Sequence, residues 1–66
     1  MRGLKKIRAE ANMTQVELAK KLNVSQASVS AWESNLEVYP REDIVIRIAD
    51  LFGCSIDELF GRGKEV

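Results

Sequence analysis

Two Ser/Thr-x-x-Glu boxes, Thr14-Gln15-Val16-Glu17 and Ser55-Ile56-Asp57-Glu58, constrain this chain more than any other feature of it. In each, the hydroxyl can accept from the Glu amide while the Glu carboxylate reaches back to the amide of the Ser or Thr, so a helix starts there. Asn23 and Gly53 tolerate the left-handed backbone that ends helices, and together with the boxes they cut the chain into short helical pieces. No segment alternates with period two over strand length, so the expected architecture is all-α, five short helices and no sheet.

Leu4, Ile7 and Ala11 form the i, i+3, i+7 stripe of a first helix over about residues 2 to 11. The second helix starts after Thr14, turns Leu18, Ala19 and Leu22 inward, and stops at Asn23. Ser25 caps a third helix over about 26 to 34, with Val29, Trp32 and Leu36 as its inward stripe. No start signal lies between Ser34 and Pro40. Pro40 with acidic Glu42 and Asp43 suits the opening of a fourth helix, which carries Ile44, Val45, Ile48, Leu51 and Phe52 and ends at Gly53. The fifth opens at Ser55 and points Ile56, Leu59 and Phe60 inward. Residues 1–61 are expected to form one domain and 62–66 a short tail without order. Met1 and the brevity of that tail favour a free-standing chain.

Composition removes several chemistries. A chain of 66 residues holds one packed core and no separate catalytic unit. It has no His and a single Cys, Cys54, so neither a disulfide framework nor a Cys/His zinc site can be built. No pair of carboxylates is flanked by a nucleophile or a glycine-rich phosphate loop, which argues against an enzyme and against a metal or small-molecule cofactor. The longest apolar run, Ile44 to Ile46, is far too short to cross a membrane, and the N-terminus has no apolar h-region, so a cytoplasmic protein without a membrane partner is expected. Cys54 is read as a buried inert thiol in preference to a redox sensor.

The formal charge of zero conceals an asymmetry. Residues 1–21 carry six cations (Arg2, Lys5, Lys6, Arg8, Lys20, Lys21) against two acids, Glu10 and Glu17, a balance of +4. The remainder carries four cations against eight acids, a balance of −4. Such polarity suits a small protein that offers one face to a polyanion, although a solvated helix face would look the same.

Two short helices joined by a tight turn, the second opening at a Ser cap and showing small polar residues outward, describe a helix-turn-helix, a shape that generic helical hairpins share. Residue identity separates the two. Gln15-Val16-Glu17-Leu18-Ala19, Asn23-Val24-Ser25-Gln26 and Val29-Ser30-Ala31-Trp32-Glu33 closely resemble the Cro and phage-repressor (XRE-type) helix-turn-helix family. Ile48-Ala49-Asp50-Leu51-Phe52-Gly53 and Asp57-Glu58-Leu59-Phe60-Gly61 match in register, so the resemblance runs from about Leu4 to Phe60. It implies a lambda-repressor-like DNA-binding domain and a transcriptional regulator that recognises operator DNA.

By that resemblance the third helix lies in the major groove with Gln26, Ala27, Ser30 and Ala31 toward base edges. Spacing agrees, because 26 with 30 and 27 with 31 are i, i+4 pairs away from the Val29 and Trp32 stripe. An amide at Gln26 suits adenine N7 and N6, and the competing reading is a plain solvated residue. Gln15 is implied as a phosphate contact that also braces Gln26. Ser25, Ser28, Asn35 and Arg41 are further phosphate candidates by position and hydrogen-bonding capacity. Asn35 stands where relatives have glycine and is expected to adopt the same backbone conformation. Arg8 and Glu33 match a structural ion pair of the family. Trp32 is read as core, with stacking on a base as the lesser reading.

A homodimer on a palindromic operator is expected, because one short helix reads few base pairs and because Leu36, Val38 and Tyr39 are loop residues that a monomer would expose. The rival reading is an antitoxin-like or other protein-interaction module that engages a partner protein through that loop or the acidic half.

Overall fold

The computed structural model describes residues 1–35 and 37–61. Among them lie five helices and no strand: α1 (Leu4–Glu10), α2 (Gln15–Leu22), α3 (Gln26–Ser34), α4 (Glu42–Phe52) and α5 (Ile56–Leu59). Leu36 and the tail 62–66 lie outside the described residues.

Both boxes form. Glu17 N donates to Thr14 Oγ1 at 3.1 Å and Thr14 N to Glu17 Oε1 at 2.8 Å. The Ser55 and Glu58 pair repeats this at 3.1 and 2.8 Å. Asn23 (φ 59°) ends α2 and Gly53 (φ 64°) ends α4 in the left-handed region. Asn12, just beyond α1, adopts it too (φ 58°).

Each helix supplies one side chain with no exposure at all: Leu4, Leu18, Val29, Ile48 and Leu59. Met1, Ala19, Leu22, Trp32, Ile44, Val45 and Ala49 complete the core around them. Burying a side chain of this size stabilises by about 1.5 to 3 kcal/mol, so each helix contributes at least one such anchor to the core. The pairing of α2 with α3 is the most extensive in the fold, and α1 closes on α3 while α4 supports α2.

Two long-range braces hold these helices in place. The Arg47 guanidinium on α4 donates to the carbonyls of Lys21 at 3.2 Å and Leu22 at 3.5 Å. These are carbonyls at the end of α2, where the helix itself supplies no donor. At the other end, Gly3 N donates to Leu59 O at 2.8 Å, and Met1 N donates to the Trp32 carbonyl. Gly3 approaches α5 so closely that a β-carbon there would lie 2.0 Å from the Glu58 carbonyl oxygen, which explains glycine at that position.

Four sequence expectations are corrected. Ala11 is exposed, because α1 stops at Glu10 and the stripe ends with it. Leu51 is 40% exposed, since the buried arc of α4 is centred toward Val45 and Ala49 and leaves Leu51 at its edge. Ile56 is 42% exposed, being the first residue of a helix of four, too short to sustain a stripe. Asn35 is extended (φ −119°, ψ 109°) and not left-handed. Its side-chain oxygen instead accepts from Glu37 N at 2.9 Å, turning the chain by a local hydrogen bond.

Candidate nucleic-acid interface

The third helix separates its faces cleanly. Val29 and Trp32 are buried against the core, whereas Gln26 and Ala27 are exposed and Ser30 and Ala31 half-exposed. Trp32, at 7% exposure, belongs to the core and cannot stack on a base. Ser34 shares the outer face by its spacing from Ser30 and Ala31, a residue that sequence reasoning passed over. Its hydroxyl donates back to Ser30 O at 2.8 Å.

Arg8 and Glu33 are brought together from α1 and α3. Arg8 Nε and Nη2 donate to the two Glu33 carboxylate oxygens at 2.6 and 3.0 Å, a bidentate pair with side-chain exposures of 13% and 3%. Arg8 Nη1 also donates to Met13 O at 2.7 Å, which ties the α1–α2 connection to the pair. Burial works to raise the Glu33 pKa, but hydrogen bonds from Arg8 and Gln15 and the charges of Arg8 and Lys5 outweigh it, so the carboxyl sits below its ordinary range. Arg8 is correspondingly raised by its hydrogen bond to Glu33, against the opposing effect of burial.

The pair continues outward. Gln15 Nε2, at the first turn of α2, donates to Glu33 Oε1 at 2.9 Å, and Gln26 Nε2 donates to Gln15 Oε1 at 3.4 Å. Neither the link from Gln15 to Glu33 nor the brace by Arg47 is visible in sequence, because each joins residues 18 or more positions apart.

The other polar candidates are distributed around α3. Ser25 caps the helix, with Ser28 N donating to Ser25 Oγ at 3.1 Å and the two hydroxyls 3.0 Å apart. One hydroxyl hydrogen bridges the pair, which leaves the other to donate outward. Asn35 is exposed at the far end, and its NH2 group is not engaged by the turn its oxygen makes. Arg41, also exposed, pairs with Asp43 at 3.4 Å, a surface contact that is cheap to break.

Arg2 and Lys6 line a cleft of about 550 Å³ together with Glu10, Phe52, Cys54 and Glu58, against α4 and α5. The Cys54 thiol there is half-buried, and burial, with the nearby Glu58 charge, raises its pKa, as suits an unreactive thiol. The loop candidates also divide. Val38 is half-buried and packs on the core, so a monomer does not leave it bare, whereas Tyr39 is 57% exposed with its ring 5.5 Å from Phe60.

Comparison with known proteins bears on what this arrangement serves. A family model described as helix-turn-helix matches residues 4–59. The chain is 38% identical over 63 residues to the HTH-type transcriptional activator BcrR of Enterococcus faecalis, a match covering 96% of this chain and 30% of that protein. It is 40% identical over 57 residues to an uncharacterised HTH-type transcriptional regulator of Methanocaldococcus jannaschii, covering 86% of this chain and 85% of that one. No solved structure matches the chain at a significant level.

Proposed function

Because the chain belongs to the helix-turn-helix family, in its Cro and phage-repressor (XRE) type, we propose that residues 1–61 act as a sequence-specific regulator that binds operator DNA as a homodimer and represses by occluding a promoter. The observation that carries this reading is the exposed Gln26 at the start of α3, held by Gln15 from α2 on the face opposite the core. Gln26, Ala27, Ser30 and Ala31 meet base edges, and Gln15, Ser25, Ser28, Asn35 and Arg41 meet phosphates. Dimerisation is supported by the few base pairs that one helix of nine residues can read and by the exposure of Tyr39. Two-fold symmetry places half-sites about 34 Å apart. The protein acts in the cytoplasm, with DNA as its partner and no cofactor.

Selection of bound sequences from a random DNA pool, followed by titration of the enriched duplex, tests all of this at once. A palindromic motif, two protomers per duplex, and a salt slope of about −5 in log affinity against log salt are expected, from about three phosphates per protomer. Absence of any enriched motif overturns DNA recognition, and one protomer per duplex overturns the dimer. A reporter whose promoter overlaps the operator reads the sign of regulation: falling output supports repression, and rising output assigns activation, the role in the name of the Enterococcus relative.

A further inference from the structure

Three hydrogen-bonded groups run in one direction from the edge of the core to the outer face of α3: the Arg8-paired Glu33, then Gln15, then Gln26. A glutamine side chain has a donor end and an acceptor end of nearly equal shape, and a half-turn of the amide exchanges them unless a neighbour distinguishes the two. Here a neighbour does. An ionised carboxylate only accepts, so Gln15 must turn Nε2 toward Glu33, and its Oε1 is thereby aimed at Gln26. Only Nε2 of Gln26 can answer that oxygen. One Nε2 hydrogen and the Oε1 of Gln26 remain for a ligand, in a set order.

We infer that Glu33 is a positioning residue for base reading, which acts through Gln15 to fix the order of donor and acceptor on Gln26 and so holds that residue in the one order that matches both N7 and N6 of adenine. This rests on the DNA-binding reading above. Both purines present an acceptor at N7, and they differ at position 6, where adenine carries a donor and guanine an acceptor. With Nε2 on N7, the Gln26 Oε1 accepts from adenine N6 but meets guanine O6 as one acceptor against another. A reversed amide would break the bond to Gln15 and match neither N7 nor N6 of adenine. On guanine it would satisfy O6 while setting Oε1 against N7, so the order matters to adenine and not to guanine.

The low exposure of Glu33 and its bidentate bond to Arg8 keep the carboxylate itself from turning, so the direction of the whole chain is set at its inner end. The outermost link, at 3.4 Å, is long. With the order left unset, about half of the amides face the wrong way for adenine, so about twofold in adenine affinity is the size of the effect to look for.

The test compares wild type, Gln15→Met and Glu33→Gln on the duplex selected by the wild type, with A, G, C or T placed at the position whose preference Gln26→Ala abolishes. Gln15→Met retains Arg8 and Glu33 and removes the relay together with the Gln15 phosphate contact, whereas Glu33→Gln replaces an obligate acceptor with an amide that can offer either end. In Gln15→Met the ratio of adenine to guanine affinity is expected to fall about twofold at that position alone. This comes on top of any uniform loss across sequences from a missing phosphate contact. The same fall is expected for Glu33→Gln, with thermal unfolding recorded to confirm a folded protein; should it be unfolded, Gln15→Met decides. Weakening of all duplexes by one factor, with the purine ratio intact, overturns the inference while leaving DNA recognition standing. Failure of the wild type to select any sequence overturns both.

Discussion

Gly3 stands against Glu58 with no room for a side chain: a β-carbon on Gly3 would lie 2.0 Å from the Glu58 carbonyl oxygen, and the Gly3 amide already donates to the neighbouring Leu59 carbonyl at 2.8 Å. The start of the chain and α5 therefore hold one another. Gly3→Ala forces this backbone contact apart and is expected to destabilise the fold by about 1 to 3 kcal/mol. Urea unfolding should show a lower midpoint with an unchanged slope, whereas an unshifted midpoint would show that the two segments separate at no cost.

The Arg8 and Glu33 pair gives a signed pH dependence. The Glu33 carboxyl lies lower in the folded protein than its unfolded value of about 4.3. Its contribution to stability is therefore complete above that value and is lost as pH falls through the folded one. Urea midpoints for wild type and Glu33→Gln, taken from neutral pH down to about 3, are expected to converge on the acid side, because protonation does to the wild type what the substitution has already done. A constant gap at every pH contradicts this.

Removing the cation alone is the harsher change. Arg8→Met leaves a carboxylate of 3% exposure with Gln15 as its remaining side-chain donor, and a loss of about 3 kcal/mol is expected. Circular dichroism during thermal unfolding measures it, and a change below about 0.5 kcal/mol would place the pair in the class of surface bridges.

At Asn23 the backbone, not the side chain, is under demand. With φ at 59°, Asn23→Ala is expected to cost about 1 kcal/mol and Asn23→Gly to cost little or to stabilise. If both lose stability equally, the turn depends on the asparagine amide and not on its conformation.

Gln26→Ala touches no core residue. Stability should remain within about 0.5 kcal/mol of wild type, while discrimination at one base pair falls by about 1 to 3 kcal/mol. Binding to a panel of single-base variants of the selected duplex measures this directly, and an equal loss across the panel would make Gln26 a backbone contact.

Much of the fold is legible in sequence because its boundaries are chemical. Thr14 with Glu17, Ser55 with Glu58, Asn23 and Gly53 mark helix ends by local hydrogen bonds and backbone preference, and α3 occupies residues 26 to 34 as its cap and stripe predict. What failed depends on neighbours distant in sequence or on short range. Ala11 and Ile56 lie at helix ends, where periodicity has no turn left to express itself, and Leu51 sits at the edge of the arc that α4 buries through Ile44, Val45, Ile48 and Ala49. The glutamine relay was half legible. The resemblance pointed to Gln15 and Gln26, but that a carboxylate of the structural pair also holds Gln15 emerges only when α1, α2 and α3 are packed.

The division of α3 into Val29 and Trp32 on one side and Gln26, Ala27, Ser30 and Ala31 on the other bears on how such a regulator can change its target. Those four outward positions can be exchanged with little penalty to folding, provided that the replacements keep helix propensity. Val29 and Trp32 have no such latitude. A lineage built on this domain can therefore vary its outer face by surface substitutions while the scaffold stays intact, and Gln26 is the position there that a hydrogen bond from α3 to Gln15 of α2 ties to the scaffold.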